Sequence, residues 1–207
     1  VYSVLPTPTK TGYTFTGWNT EADGTGNPYK HGDQFTITSN TTLYAQWCEA
    51  YWKLVTDASE LENDTRIVIA AKDYNVALST TQNEANRGQA EITKKYNTTT
   101  FDENNVQILS LVDVTNNRFA LYTGSGYLYA ASKSANQLKT QDKLDDNAKW
   151  SIAISQGAAL ILAQGDKTHN QIKYNHQQSG QLFSCYESSN TTMSAVAIYK
   201  EVCVQDQ

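Results

Sequence analysis

The chain has 207 residues, of which 39% are hydrophobic and only 18% charged, against about 25% charged in ordinary globular domains. This is enough length for one large or two small domains and enough apolar material for a core, so a wholly disordered chain is excluded. The net charge of −5 argues against a grip on nucleic acid, which needs clustered Lys and Arg to neutralise phosphates. Thr, Asn, Ser and Gln stand where charge is missing. With 13 Tyr, 4 Trp and a single Met, the composition predicts a β-rich chain with polar, uncharged faces. No run approaches the roughly 18 apolar residues of a membrane span.

In chain order, residues 1–47 have a texture of their own, with all three prolines and five of the eleven glycines. Tyr13, Phe15 and Trp18 predict a strand interrupted at Gly17, and Asp23-Gly24 and Asn27-Pro28 mark turns. Phe35, Ile37, Leu43 and Tyr44 predict two more short strands around a turn at Ser39-Asn40. The run GYTFTGWNTEADGTGNPY, followed by GDQFTITSNTTLYAQW, closely resembles the Listeria-Bacteroides (internalin-type B) repeat, with the match placed at residues 5–47. The Gly-Tyr-x-Phe-x-Gly-Trp and Leu-Tyr-Ala-x-Trp signatures carry the likeness. It implies a β-grasp-like module with a small α+β part, an extracellular or cell-surface bacterial setting, and a spacer or adhesion role. The first strand usual in that family is missing ahead of the Leu-Pro-x-Pro segment. The likeness therefore implies a partial copy in a piece of a longer protein, whose flanking domains are among its expected partners.

Residues 48–50 read as a linker, and 51–207 as a second domain. From Tyr51 onward, four short strand-like runs recur three times in the same order. The openers are 66–70, 118–122 and 159–163; second runs lie at 75–79, 127–131 and 170–174; third runs at 90–93, 137–140 and 181–184; closers at 106–109, 150–153 and 196–199. Ile108 to Ile152 is 44 residues, Ile152 to Ile198 is 46, and Leu128 to Ile172 is again 44. The first repeat is longer, with its surplus at 94–105. Three repeats of four strands fit a β-trefoil, in which each unit buries its inner face only against the other two. A β-sandwich is the alternative. This half also resembles an accessory module of secreted Bacteroidetes proteins, through Tyr51-Trp52-Lys53-Leu54-Val55, Ala148-Lys149-Trp150-Ser151-Ile152, Leu182-Phe183-Ser184-Cys185-Tyr186 and Ile198-Tyr199-Lys200. That likeness implies a non-catalytic role.

The cysteines are Cys48, Cys185 and Cys203. No C-x-x-C pair exists, which excludes a zinc ribbon or a thioredoxin-like motif. A closed trefoil brings its two chain ends together, so a Cys48–Cys203 disulfide is one expectation and three separate thiols the other. A bridge would fit an oxidising compartment. Cys185, inside a strand, reads as a buried thiol.

No catalytic motif is present: no Gly-x-Ser-x-Gly elbow, no His-Glu-x-x-His helix and no Gly-x-Gly-x-x-Gly turn. The expectation is a protein that is not an enzyme, with no catalytic residues, no metal ligands and no cofactor. Residues 19–24 imitate half a calcium loop, but Lys30 stands where a bidentate Glu belongs, so an Asp-Gly turn is the better reading. Aromatic residues beside amides are the stronger lead, because a sugar ring stacks its C–H face on an aromatic while Asn, Gln or Asp bond its hydroxyls. Two ligand-binding sets follow: Tyr127 and Tyr129 with Asn136, and Tyr174 and Tyr186 with Asn170 and His176. The leading expectation is a structural or adhesion module of a secreted or surface protein. The alternative is a carbohydrate-binding, lectin-like trefoil. The expected partner is a host or microbial surface glycan or protein.

Overall fold

The computed structural model describes residues 2–36, 39–114, 118–177 and 180–203. These fall into two units: residues 2–51 together with 201–203, and Trp52–Lys200.

The first unit is built from β1 (Tyr2–Val4), β2 (Tyr13–Asn19), β3 (Pro28–Tyr29), β4 (Gln34–Thr36) and the start of β5 (Tyr44–Leu54). β1 pairs antiparallel with β4, and β2 lies between β3 and β5. Gly17 does not end the strand, as the sequence suggested; it places a bulge in it, with the register against β5 shifting between Phe15 and Gly17. Its φ of +146° and the 2.8 Å that would separate a Cβ from the Tyr29 carbonyl oxygen explain why glycine stands there. The bulge brings Phe15 edge-on to Trp18 and to Trp47, at 5.5 and 5.7 Å between centroids. Trp18 Nε1 donates to the Pro6 carbonyl at 3.0 Å. The two family signatures are thus one aromatic cluster. The α part implied by the β-grasp likeness has no counterpart among the described residues. Residues 20–27, between β2 and β3, form a turn ordered by the buried Asn19, whose side chain donates to Gly24 and accepts from the Glu21 N–H. Asp-Gly and Asn-Pro steps leave no room there for a helical turn. Ile37 lies outside the described residues. Cys48, Glu49 and Ala50, read as a linker, are the middle of β5.

The second unit continues with β6 (Arg66–Ala71), β7 (Val76–Gln82), β8 (Arg87–Lys95), β9 (Thr98–Phe101), β10 (Leu109–Val114), β11 (Arg118–Tyr122), β12 (Tyr127–Ala130), β13 (Leu138–Gln141), β14 (Lys149–Ser155), β15 (Ala158–Ala163), β16 (His169–Asn175), β17 (Leu182–Glu187) and β18 (Val196–Cys203). The first and last strands of each repeat pair in sequence: β6 with β10, β10 with β11, β11 with β14, β14 with β15, β15 with β18, and β18 back to β6. That is a closed barrel of six strands. The inner strands of each repeat pair as hairpins, β7 with β8, β12 with β13 and β16 with β17. A closed ring carrying three hairpins is a β-trefoil; a sandwich would leave open edges.

Alternation along the barrel strands sends Ile67, Ile69, Leu109, Leu111, Leu121, Trp150, Ile161, Val196 and Ile198 into one core, all essentially inaccessible. Trp150 satisfies its indole by donating to the Leu128 carbonyl at 3.0 Å. β6 is buried on both faces, because Val68 and Ala70 join a second cluster with Trp52, Ile92, Val106 and Tyr199. This is why its sequence, RIVIAA, is apolar at every position after Arg66. The surplus of the first repeat becomes β9, which extends the hairpin by pairing with β8 and with Trp52 and Lys53 of β5. It also displaces the first closing strand from 106–109 to Leu109–Val114. Val106 is held instead in the Asp102 turn, with its N–H on the Asp102 carbonyl, and touches Ser79 only through an isolated bridge.

Cys48 and Cys203 are joined by a disulfide within the first unit, with Cα atoms 5.6 Å apart and a sequence separation of 155. Cys185 is a free, buried thiol, and burial pushes its titration far up.

Candidate functional site

The two aromatic sets separate once placed on the trefoil. Tyr127 and Tyr129 lie two residues apart on β12, hence on one face, and both are half-buried. Tyr127 rests against Tyr122 with 5.3 Å between centroids. Asn136 is exposed in the loop of that hairpin, and among the described residues no bond joins it to either tyrosine. The second set turns inward. Tyr174 and Tyr186 are only 2% and 4% exposed, so neither offers a stacking face to a ligand. The cause is the hairpin itself, where Tyr174 pairs with Phe183 and packs on its ring at 5.0 Å, inside the core cluster. Burial raises the phenol pKa of both. Asn170, at a register shift in β16, has a buried Oδ1 with no partner and no bond to the other members.

The exposed ring that the sequence reading missed is Tyr74, 39% accessible in the connection from β6 to β7. It lies parallel to the His176 imidazole, with 5.4 Å between centroids and 15° between planes. It also leans on Tyr174 at 5.4 Å and 56°. Tyr174 therefore acts through its edge and hydroxyl. The hydroxyl donates to Gln89 Oε1 at 2.5 Å, and Gln89 Nε2 donates to Gln181 Oε1 at 3.2 Å. Tyr74, Tyr174, Gln89 and Gln181 line a cleft of about 450 Å³ that also takes in Asn75 and Glu91, a volume within the usual range for a small-molecule site.

Local structure fixes the ring. Lys94 Nζ donates to the carbonyls of Ala71 and Lys72 at 2.5 and 2.9 Å, clamping the loop that carries Tyr74, and burial lowers its pKa while Asp73 opposes that. His176 is held by the Ser194 hydroxyl, 3.0 Å from Nδ1. The Gln89–Gln181 bond spans β8 of the first repeat and the approach to β17 of the third. The site thus exists only where two repeats meet. Among the described residues, the side chains of Asn75 and Glu91 have no partner, and Gln181 is engaged only through its oxygen. Chemically, this is an apolar platform beside free amide and carboxylate groups. One signal was available in the sequence: Asp73-Tyr74-Asn75 is a turn-forming stretch with a large ring at its centre.

The corresponding connections of the other repeats carry no aromatic. Residues 123–126 close on themselves through Thr123 Oγ1 and the Gly126 carbonyl at 3.0 Å. Residues 164–168 present Asp166, paired with Lys133 at 2.5 Å and Lys167 at 3.2 Å. Among the described residues, the first of these three connections is thus the one that carries an aromatic cleft. In the first unit, the Asp23 carboxylate is taken up by the Thr25 hydroxyl at 2.7 Å and the Thr25 N–H at 3.0 Å, which lowers its pKa. That is the chemistry of an Asp-Gly turn.

Residues 1–46 match the Listeria-Bacteroides repeat domain. The repeat thus includes β1, whose strand precedes Leu5. The chain is 64% identical over 39 residues to a protein of Evansella cellulosilytica named a Gly-rich membrane protein, covering 18% of this chain and 4% of that protein. The chain therefore spans a small fraction of this curated relative. Among solved structures, a GH43 β-1,3-galactosidase matches 76% of this chain and 36% of its own, with a TM-score of 0.52 and 14% identity. Cry35Ab1 matches 71% and 38%, with a TM-score of 0.50 and 11% identity. At such identities these likenesses concern the fold alone, and they extend well beyond the repeat.

Proposed function

We propose that this chain is a non-catalytic adhesion module of a secreted or cell-surface bacterial protein, in which the repeat serves as a spacer and the trefoil binds carbohydrate at the Tyr74 cleft. The observation that carries the reading is the Tyr74–His176 stack beside Gln89, Glu91, Asn75 and Gln181. A pyranose has one face of C–H groups and a rim of hydroxyls. The cleft supplies a ring for the first and uncommitted amides and a carboxylate for the second.

The setting has separate support. A disulfide is kept in oxidising compartments, and the Cys48–Cys203 bridge closes a loop of 155 residues. The matched repeat is expected on surface proteins, and a curated relative of the chain is named as a membrane protein. No helix among the described residues is long and apolar enough to cross a membrane. The non-catalytic part rests on the sequence, which carries no catalytic motif.

A glycan array probed with the native chain, followed by calorimetry on the hits, tests the reading. Binding of at least one glycan, lost in Tyr74→Ala, supports it. Silence across the array at millimolar sugar overturns carbohydrate recognition and leaves only the spacer role.

A further inference from the structure

A second cleft, of about 660 Å³, shares strand β8 with the first and is lined by Thr81, Thr93, Thr100, Phe101, Asp102 and Asn105, among others. Gln89 and Glu91 border both this cleft and the one beneath Tyr74. Being two apart on one strand, they project to the same face. They form a shared polar margin from which a ligand reaches both sides.

We propose that the two clefts are successive subsites for one linear, uncharged oligosaccharide, seated with one sugar on Tyr74 and running across Gln89 and Glu91 toward Phe101. This inference rests on the carbohydrate reading of the Tyr74 cleft and extends it from a terminal sugar to a chain. Three observations carry it. The first is the shared margin, since a terminal-sugar pocket is bounded by a wall, whereas Gln89 and Glu91 open on both sides. The second is the lining of the second cleft, where threonine hydroxyls and one half-buried ring repeat the pairing of polar rim and apolar patch found at Tyr74. The third is charge. Neither cleft is lined by Lys or Arg, while Glu91 and Asp102 contribute carboxylates. Such a groove accepts hydroxyl donors and disfavours uronates and sulfated sugars, whose charge would face Glu91 with no Lys or Arg in the lining to offset it.

The extra hairpin strand β9 gives the geometry its origin. Thr100, Phe101 and the Asp102 turn belong to the insertion that makes the first repeat longer than the other two. The same insertion that covers the second apolar cluster thus also builds the far half of the groove.

Calorimetry on the intact chain with glucose, galactose and mannose, with their neutral β-linked oligomers of two to six units, and with oligogalacturonate tests the proposal. The expected result is affinity rising at least tenfold from monosaccharide to tetramer, with no binding of oligogalacturonate. Thr100→Trp, which fills the second cleft from an exposed strand position, should reduce tetramer affinity to the level of the monosaccharide. Equal affinity for monomer and tetramer overturns the groove while leaving sugar binding at Tyr74 intact. Tight binding of oligogalacturonate overturns the charge argument. Binding of no sugar at all overturns the carbohydrate reading itself, and the groove with it.

Discussion

The Tyr74 and His176 rings lie 5.4 Å apart and within 15° of parallel, joining a loop of the first trefoil repeat to the end of β16 in the third. The stack leaves Tyr74 partly accessible and fixes its orientation. Truncating it in Tyr74→Ala should weaken sugar binding at least tenfold, about 1.4 kcal/mol. Tyr74→Phe should keep most of the affinity, because the face of the ring carries the contact. Calorimetry on both variants checks this; equal losses would mean that the hydroxyl, not the face, is used.

The Cys48–Cys203 bridge, with its Cα atoms 5.6 Å apart, makes a prediction about redox state. Reduction, or the double change Cys48→Ser and Cys203→Ser, should lower unfolding stability by about 2–4 kcal/mol, since the long loop costs the open chain its closure entropy. Denaturant titration with and without reductant measures it. Alkylation of the native oxidised protein should label no thiol, because Cys185 is buried and its thiol is pushed far up. Labelling of one thiol is expected only after unfolding.

Glu60 gives a pH signature. Its carboxylate accepts from the Thr56 N–H at 3.0 Å and the Asp57 N–H at 3.2 Å, and pairs with Lys200 at 3.2 Å. The Thr56 N–H is the largest of the causes that bring its pKa down from 4.5 to about 2, with the Lys200 ammonium adding to it. A depressed carboxyl contributes stability that is complete above its unfolded pKa and disappears as pH falls through the folded one. Glu60→Gln should therefore cost about 1 kcal/mol at neutral pH. The gap in Tm between wild type and variant should be constant above about pH 5 and close by about pH 2. A gap that widened on acidification would contradict the assignment.

Gly17→Ala tests the physical meaning of the repeat signature. With φ at +146° and the Tyr29 carbonyl 2.8 Å from the new methyl, the substitution should destabilise the first unit by about 2 kcal/mol. Tryptophan fluorescence from Trp18 and Trp47 should report early melting of that unit.

The parts of the architecture set by chain-local pattern were readable in advance. Three openers and three second runs fell on β6, β11 and β15 and on β7, β12 and β16, because alternation and turn residues recur at each. What escaped was decided by contacts distant in sequence. The displacement of β10 to Leu109–Val114 follows from an insertion whose pairing with Trp52 and Lys53 no periodicity reveals. Tyr174 and Tyr186 had the right chemistry for a ligand site, but Phe183 and the closing of the barrel drew them inward. Tyr74 is the reverse case: an ordinary turn residue that becomes a platform because His176, just over a hundred positions later, folds beneath it. Gln89 and Gln181 meet across 92 residues, and their bond exists only once the first and third repeats stand side by side.

The most direct test of the central claim is an NMR titration of the native chain with a neutral oligosaccharide that binds, following the side-chain amides of Gln89, Gln181 and Asn75 and the ring of Tyr74. Shifts centred on these four residues, continuing along the groove to Thr100 and Phe101, and absent at Tyr127, Tyr129 and Asn136 are the predicted result. Shifts centred on the β12–β13 hairpin, or scattered with no focus at Tyr74, would contradict it.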